Sequence, residues 1–319
     1  MDMITEVLDG VRSAGALVGR SLLSPPWSLR FEESASMTLV TMLRGDAWID
    51  PGDGEASYLG TGDVGIVTGS EPFSVASEEL CRTPPVWIQA AAGRCTDAAG
   101  HLLDEEDIGL GTRTCGTTLD AEHALLTGTY VTGGRVAARL LSALPRVLVI
   151  PAESVRAGAL RMLEDEIAVE EPGQEAVLDR LLDLVLVGAL RDWFAGREDE
   201  APGWYRAMSD PVVAPAIRAI HDAPADPWTV DALASLAGVS RAAFARRFAE
   251  VMGEPPISYL TSWRLCTAAD LLADTRDTVD VIARKVGYSG PFAFSHAFTR
   301  EYGQRPGRYR MQQGEGVSA

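Results

Sequence analysis

Two stretches near the end of the chain, TVDALASLAGVSRAAFARRF (residues 229–248) and TVDVIARKVGYSGPFAFSHAF (residues 278–298), resemble each other. Gly238 aligns with Gly287 at an offset of 49 residues, and after this turn the offset becomes 50. The second copy therefore has one extra residue in its turn. A repeat of this size indicates a supersecondary unit that is used twice. We therefore interpret the rest of the chain as a region that positions or controls the two copies of the repeat.

Each copy has the pattern of two helices joined by a tight turn. In the first copy Gly238 and Val239 form the turn, and Ser240 is placed to cap the second helix. Phe244 and Phe248 are four residues apart, so both point back towards the first helix. This is the helix-turn-helix pattern, in which the second helix enters the major groove of DNA.

The outward face of the first copy suits the reading of bases. With the phenylalanines in the core, helical geometry places Arg241, Ala242, Ala245 and Arg246 on the exposed side. The small alanines let the backbone approach the groove floor, and Arg246 can donate two hydrogen bonds to a guanine edge. Arg247 is predicted either to contact phosphate or to pack within the domain.

The outward face of the second copy offers less hydrogen bonding. Pro291 is tolerated at a helix start, and Phe292 either contacts a thymine methyl group or packs. We predict that the first copy reads sequence and that the second mainly anchors the protein. The full predicted DNA-contacting set is Ser240, Arg241, Ala242, Ala245, Arg246, Arg247, Ser289, Pro291, Phe292, Ser295, His296 and Arg300.

A long helix is predicted between the copies, over EPPISYLTSWRLCTAADLLADT (residues 254–275). A single rigid helix would fix their spacing, so that the two recognition helices enter successive major grooves about 34 Å apart. A shorter helix is predicted to lead into the repeat over residues 210–222.

Charge is distributed unevenly along the chain. The net charge of the 319 residues is −17, but residues 241–310 contain 11 basic and 7 acidic side chains. The acidity lies on the first two-thirds of the chain, so the C-terminal part is compatible with DNA.

The N-terminal region consists of short apolar or alternating runs separated by Gly, Asp and Pro, which predicts a β-sandwich or barrel. The predicted strands are residues 37–43, 46–50, 56–59, 64–69, 73–77, 86–91 and 124–131. Residues 129–152 are predicted to close the barrel.

Residues 229–310 resemble the DNA-binding domain of the AraC/XylS family of transcription regulators, including the ending Tyr302-Gly303…Pro306-Gly307-Arg308-Tyr309-Arg310. LRGDAWIDPGDGEASYLGTGDVGIVTGSEPF (residues 43–73) resembles the cupin (jelly-roll) sensor of such regulators. The family often has Arg where His296 stands. Residues 37–50 contain no histidine and Pro72 is followed by Phe73, so the cupin metal motif is not expected and no metal or cofactor is predicted.

Residues 175–194 (EAVLDRLLDLVLVGALRDWF) are predicted to form a helix that is apolar over more than one face. It is either a core helix or, as in AraC-type sensors that pair through such helices, the interface of a homodimer. The predicted interface residues are Leu178, Leu181, Leu182, Val185, Gly188 and Ala189. Residues 196–203 (GREDEAPG) are predicted to be a linker.

The cysteines Cys81, Cys95, Cys115 and Cys266 have no CxxC spacing, and the N-terminus does not resemble a secretion signal. Reduced thiols in the cytoplasm are expected, and no apolar run is long enough for a membrane span. Some oxidant-sensing relatives use a Cys-Gly step similar to Cys115-Gly116, paired with a cysteine near the N-terminus, where this chain has Ser21. No cysteine precedes Cys81, so that pairing is not expected. Cys115 is retained as a regulatory candidate on the Cys-Gly resemblance, the alternative being a small buried apolar residue.

Together these features predict an α+β multidomain protein: a cupin-like β-barrel sensor (residues 1–155), a helical dimerisation segment with linker (156–208) and an all-α double helix-turn-helix domain (209–319). The predicted function is a non-enzymatic, homodimeric transcription regulator that binds double-stranded DNA. The resemblance implies an activator that contacts RNA polymerase and responds to a small molecule or redox signal. The alternatives are a cupin-fold enzyme with a helical appendage and an architectural DNA binder without ligand.

Overall fold

The structure is a computed structural model, and it describes residues 11–12, 19–32, 36–79, 83–89, 94–132, 134–153, 157–196 and 201–316. The chain divides into two compact units. The sensor unit comprises Val11–Thr132 and Leu144–Arg197, and the DNA unit includes Gly133–Ala143 and Glu198–Ala319. Cys81 and half of the predicted linker, residues 197–200, lie outside the described residues.

The sensor unit is built from two β-sheets. Its strands are β1 (Val11–Arg12), β2 (Gly19–Leu23), β3 (Ser28–Phe31), β4 (Met37–Arg44), β5 (Ala47–Asp50), β6 (Ser57–Leu59), β7 (Val64–Thr68), β8 (Phe73–Ala76), β9 (Trp87–Gln89), β10 (Cys95–Thr96), β11 (Leu102–Leu103), β12 (Gly109–Gly111), β13 (Thr114–Gly116), β14 (His123–Thr132) and β15 (Val147–Ile150). One sheet has the order β12-β13-β2-β14-β4-β7-β15, with β1 paired to β14, and the other has the order β11-β10-β9-β3-β8-β5-β6.

The core of this unit lies between the sheets. Phe31 and Phe73 stack with ring centroids 4.6 Å apart, and Trp27 is buried in the same cluster. A Cβ atom at Gly65 would lie 2.5 Å from Cδ1 of Ile49 on the opposite sheet, so glycine permits the close packing there. Burial of the aromatic and aliphatic side chains of this cluster favours the packing of one sheet on the other.

All seven predicted strands are present, and their bounds differ from the prediction by at most two residues at either end. The prediction missed β2 and β3, whose GRSLL and SLRF sequences flank Pro25-Pro26 and have no clear alternation. It also missed β1 and β10 to β13, which are only two or three residues long. It also treated residues 129–152 as one closing segment. In the structure β14 ends at Thr132, a helix follows, and only then does β15 pair with β7.

The helices of the sensor unit are α1 (Glu105–Ile108), α3 (Ala157–Ile167) and α4 (Gln174–Gly196), whereas α2 (Arg135–Leu141) belongs to the DNA unit. Helix α4 covers the sheet at β14. There Tyr130 Oη donates a hydrogen bond of 2.8 Å to the carbonyl of Leu182, and a Cβ at Gly128 would lie 2.8 Å from Cδ2 of Leu182. Residues 156–208 were predicted to be a separate dimerisation segment with a linker. In the structure this segment is divided between the two units, because the sensor unit extends to Arg197 and the DNA unit resumes at Glu198.

The predicted dimer face of α4 is turned into its own subunit. All six predicted interface residues are buried within the single chain: Leu178, Leu181, Leu182, Val185, Gly188 and Ala189. A helix that is apolar around most of its surface must bury more than one face. Here the broad apolar face packs on the sheet and on α3. The large apolar side chains of α4 that remain exposed are Val177 and Leu184.

The DNA unit is helical in its described residues. Besides α2 its helices are α5 (Gly203–Ser209), α6 (Ala214–Asp222), α7 (Val230–Leu236), α8 (Arg241–Met252), α9 (Pro256–Asp274), α10 (Val279–Lys285), α11 (Pro291–Tyr302) and α12 (Pro306–Gly316). The repeat is thus α7-α8 and α10-α11, with α9 as the predicted connecting helix.

The repeat extends one helix further than the sequence comparison indicated. Helices α9 and α12 both begin with proline, and Tyr259 and Tyr309 lie 50 residues apart. Tyr259 meets Phe248 edge-on at 5.8 Å, and Tyr309 meets Phe298 edge-on at 5.4 Å. Each repeated unit is therefore a three-helix core closed by an aromatic pair.

Candidate nucleic-acid interface

The first recognition helix, α8, is held at its start, along its core face and at its end. The Ser240 hydroxyl accepts a hydrogen bond of 3.3 Å from the N–H of Ala243, which caps the helix. Phe244 and Phe248 are fully buried, and Gly253 ends the helix in the left-handed conformation. Because Phe244 and Phe248 hold one side of α8 against the core, the residues on the opposite side of the helix face outward.

That opposite face carries the predicted readers. Arg241, Ala242 and Arg246 are exposed, and Ala245 is half-buried. Arg241 lies 3.3 Å from Asp231, and Arg246 lies 3.8 Å from Glu250. Ion pairs between such exposed side chains are weak, so either guanidinium can exchange its carboxylate for a phosphate or a base edge.

Arg247 has a different environment from its neighbour Arg246. Its Nε and Nη2 atoms donate to Oδ2 of Asp210 at 2.8 and 2.7 Å, and the Asp210 side chain is only 5% exposed. Oδ1 of Asp210 accepts the N–H groups of Val212 and Val213, each at 2.9 Å, at the start of α6. Of the two predicted roles for Arg247, the structure favours packing within the domain.

These contacts determine the titration of Asp210. Burial alone would raise the pKa of this carboxyl, but the hydrogen bonds from Val213, Arg247 and Val212 outweigh it and lower the pKa below its ordinary value. The pair therefore ties α8 to the start of α6 in its charged form.

The second recognition helix, α11, presents an apolar surface. Pro291 is its first residue, and Phe292 is 91% exposed, so the phenylalanine does not pack within the subunit. His296, Ser289 and Arg300 are exposed, whereas Ser295 is half-buried. This exposure argues against the packing alternative, and contact of Phe292 with a thymine methyl group stays a prediction.

The connecting helix α9 is anchored on its flank by α6. The ring of His221 stacks on Trp263 with centroids 3.5 Å apart, and its Nε2 atom lies 2.7 Å from Oη of Tyr259. Arg264 donates from Nε to the carbonyl of Pro224 at 2.6 Å and from Nη2 to that of Asp226 at 2.7 Å. These bonds fix the segment before the first repeat against the helix that joins the two.

Helix α2 also packs on α9, although its sequence lies between β14 and β15. Asp270 of α9 accepts the N–H groups of Arg135 and Val136, so a residue from another helix caps α2. Arg139 Nη2 donates to Glu254 at 2.5 Å, and its guanidinium lies over the Tyr259 ring at 5.0 Å. Arg135 Nε donates to Oη of Tyr309 at 2.9 Å. Within the DNA unit, α2 thus contacts Asp270 in the last part of α9, Glu254 just before α9, and Tyr309 of the last helix.

Two arginines that were not in the predicted DNA-contacting set lie near the start of α12. Arg305 and Arg308 flank the start of α12 and are exposed, and no ion pair is recorded for either among the described residues. Free backbone N–H groups at a helix start also favour phosphate. Extending the repeat to Tyr309 would have drawn attention to this segment.

Cys115, the regulatory candidate, lies on β13 of the sensor unit and is half-buried. Its neighbour in the parallel ladder with β2 is Ser21, the position noted above as lacking a cysteine. Cys115 and Cys95, which lies on the opposite sheet, both line one cavity of the sensor unit. Burial, with a contribution from Cys115, raises the pKa of Cys95 to about 11.

Across the described ranges, no helix has both the length and the apolar character needed to cross a membrane. In the same part of the chain, no three His, Cys, Asp or Glu side chains are grouped closely enough to hold a metal ion.

Comparisons with known proteins agree with this arrangement. Residues 2–195 match the family described as Cupin, and residues 233–312 match the family described as Helix-turn-helix domain. An AraC-like transcription regulator of Streptomyces antibioticus is 30% identical over 315 residues, which cover 97% of this chain and 98% of that protein. The regulator AlkR of Acinetobacter baylyi is 27% identical over 323 residues, covering 98% of this chain and 100% of its own.

A crystal structure of a transcriptional regulator from Chromobacterium violaceum, described by its AraC-type DNA-binding domain, is 28% identical with a TM-score of 0.32. It covers 34% of this chain and 96% of that one. The predicted order of a cupin-like domain followed by a helix-turn-helix domain is confirmed. The chain belongs to the AraC-like family of transcription regulators.

Proposed function

We propose that this regulator recognises a specific DNA sequence chiefly through the first repeat. The observation that carries the proposal is Arg246, which is exposed in the middle of α8 and whose ion pair among the described residues is a 3.8 Å contact with Glu250. A guanidinium placed in this way can donate two hydrogen bonds to the O6 and N7 atoms of guanine.

The second repeat acts mainly as an anchor in this proposal. Phe292 and Pro291 supply apolar contact to the groove, and Arg300, Arg305 and Arg308 supply phosphate contacts around it. Such contacts raise affinity for every sequence and position the protein, but carry little base information.

Signal transmission from the sensor is proposed to pass through α2. Its N-terminal cap is Asp270 and its Arg139 binds Glu254, at the two ends of α9. Because the flanks of α2 are covalently continuous with β14 and β15, a change in those strands would alter how α2 holds the connecting helix. Helix α9 in turn joins the two repeats, so their relative orientation on DNA would respond.

The protein acts as a homodimer in the cytoplasm in this proposal, and as an activator that contacts RNA polymerase. The exposed pair Val177 and Leu184 on α4, seven residues apart on one side of the helix, replaces the buried face as the dimer contact.

The sensor unit is proposed to bind a signal rather than to catalyse a reaction, since residues 37–50 contain no histidine for the metal motif of the cupin resemblance. A small molecule is favoured over an oxidant, because the raised pKa of Cys95 keeps its thiol protonated at neutral pH and a protonated thiol reacts slowly. Oxidation of Cys115 is the second candidate signal, on the observation that Cys95 and Cys115 line one cavity.

The experiment that tests the proposed function is selection of a binding site from random duplexes, followed by affinity measurement with Arg246→Ala. Loss of specific binding with an unchanged circular dichroism spectrum supports the assignment, and retained affinity contradicts it. An enzyme with a helical appendage would select no site, and an architectural binder would select a site whose affinity no small molecule or oxidant changes.

A further inference from the structure

A cavity of about 430 Å³ lies within the sensor unit, between the two sheets. Arg20 and Cys115 line it from β2 and β13 of one sheet, and Trp87 and Cys95 line it from β9 and β10 of the other. It lies beside the aromatic core, which fills the neighbouring space between the sheets with side chains. Its volume is typical of a site for a small organic molecule.

Three arginines from separate parts of the chain converge on this cavity: Arg20, Arg94 and Arg113. The Nε atom of Arg20 is buried and has no hydrogen-bond partner in the described part of the protein. A buried donor without a partner is unfavourable, so an acceptor entering the cavity would gain the hydrogen bond and relieve that cost.

The acidic residue that lines the cavity, Asp104, is already engaged. Its Oδ1 atom accepts the N–H groups of Glu106 and Asp107 at 2.8 and 3.2 Å, which caps α1. Its carboxylate is therefore committed to the helix start. Within the described lining, the balance of charge favours an anion.

The backbone at Arg113 also indicates a site. Arg113 has a φ of +50°, the only non-glycine residue in the left-handed region among those described. Its carbonyl accepts the N–H of Arg20 at 2.9 Å, so the two arginines are fixed side by side. A side chain held in this region is uncommon outside Asn and Asp, and such strain concentrates at binding sites.

The remaining wall is apolar. Trp87 belongs to the core, and Leu103 and Ile108 pack against it while facing the cavity. An inorganic anion would leave this surface in contact with water. A ligand with an apolar body would cover it and gain from its burial.

We propose that this cavity binds a small organic carboxylate with an apolar, ring-sized body, its carboxylate held by Arg20 and Arg113 and its body against Trp87 and Ile108. Arginine pairs with carboxylates through two parallel hydrogen bonds, which gives both strength and orientation. The inference that this ligand is the effector rests on the proposed function. The inference that the cavity binds the ligand does not depend on DNA binding.

The test is isothermal titration of the full chain, without DNA, with 2-naphthoate, with the uncharged 2-naphthalenemethanol and with inorganic phosphate. Arg113→Gly is the decisive variant, because glycine adopts the left-handed conformation readily and the substitution removes the guanidinium while relieving strain. Arg20→Gln removes the second cation. Arg30→Gln is the matched control, since Arg30 pairs with Glu32 and is not among the lining residues.

Naphthoate is expected to bind wild type and Arg30→Gln equally, and Arg113→Gly and Arg20→Gln at least about tenfold more weakly. The alcohol is expected to bind wild type at least about tenfold more weakly than the acid. Equal affinity for acid and alcohol, full affinity in Arg113→Gly, phosphate binding as tight as naphthoate, or no naphthoate binding would each overturn the inference. A gel-shift measurement of DNA binding on the same samples separates that failure from failure of the proposed function.

Discussion

Arg247 donates both Nε and Nη2 to a single carboxylate oxygen of Asp210, at 2.8 and 2.7 Å. The adjacent Arg246 makes a longer contact within the described part of the chain, 3.8 Å to Glu250. Two consecutive arginines on one recognition helix therefore have opposite assignments. Arg247 is bound within the domain, and we propose that Arg246, which is exposed, contacts DNA.

The first prediction separates these roles by comparing Arg246→Ala with Arg247→Ala. Arg246→Ala is expected to leave the melting temperature within about 2 °C of wild type, because exposed ion pairs contribute little. Its specific affinity should fall by about 10-fold or more. Arg247→Ala is expected to lower the melting temperature, since it leaves the buried Asp210 carboxylate without its cation. Differential scanning calorimetry and gel shifts check both, and a pattern with the two variants exchanged refutes the assignment.

The second prediction concerns the pH dependence of stability. The pKa of Asp210 is lowered in the folded protein, so its stabilising contribution is fully present above the ordinary value of 3.8 and is lost as pH falls through the lower, folded-state pKa. Asp210→Asn should therefore lower stability at neutral pH and flatten the loss of stability below about pH 4. Thermal unfolding from pH 6 to pH 2 measures this, and parallel curves for the two proteins would disprove it.

The third prediction compares the two turn glycines of the repeat. Gly238 and Gly287 have φ values of +67° and +83°, so alanine strains either turn by about 1–2 kcal/mol. A Cβ at Gly287 would also lie 2.7 Å from Nη2 of Arg264 and 2.9 Å from the carbonyl of Ala225, whereas a Cβ at Gly238 meets nothing within 4 Å. Gly287→Ala should therefore destabilise the protein more than Gly238→Ala in urea unfolding. Equal effects would show that backbone strain alone sets the cost.

The fourth prediction addresses the dimer. Leu184 is 45% exposed on α4, so Leu184→Arg should leave the fold intact and shift the protein from dimer to monomer in light scattering. Leu182→Ala is the control for the buried face: it should cost about 2–5 kcal/mol of stability by leaving a cavity. A Leu184→Arg protein that remains fully dimeric would exclude this face.

The sequence predicted the helix-turn-helix repeat well because its signals are local. The N-terminal caps of three helices are the side chains of Thr229, Ser240 and Thr278, which directly precede those helices in the sequence. The buried phenylalanines Phe244 and Phe294 occur at helical spacing among exposed residues. The seven predicted strands were likewise evident from their own residues.

The contacts that depend on distant parts of the chain were not predictable from local pattern. The Asp270 cap of α2 joins residues 135 positions apart, and the Arg247 pair joins residues 37 apart. The apolar surface of α4 gave no indication of which side would meet the sheet, so the dimer face was assigned to residues that are buried. The cavity arginines lie on three segments, and only the pairing of β13 with β2 brings Arg113 beside Arg20.

The measurement that tests the central claim most directly is a single-base-substitution scan across the selected binding site, made at one fixed salt concentration. The account predicts losses of about 1–3 kcal/mol per base pair in the half bound by the first repeat, and small, nearly uniform losses in the other half. Equal losses in both halves would contradict the claim that the first repeat reads and the second anchors.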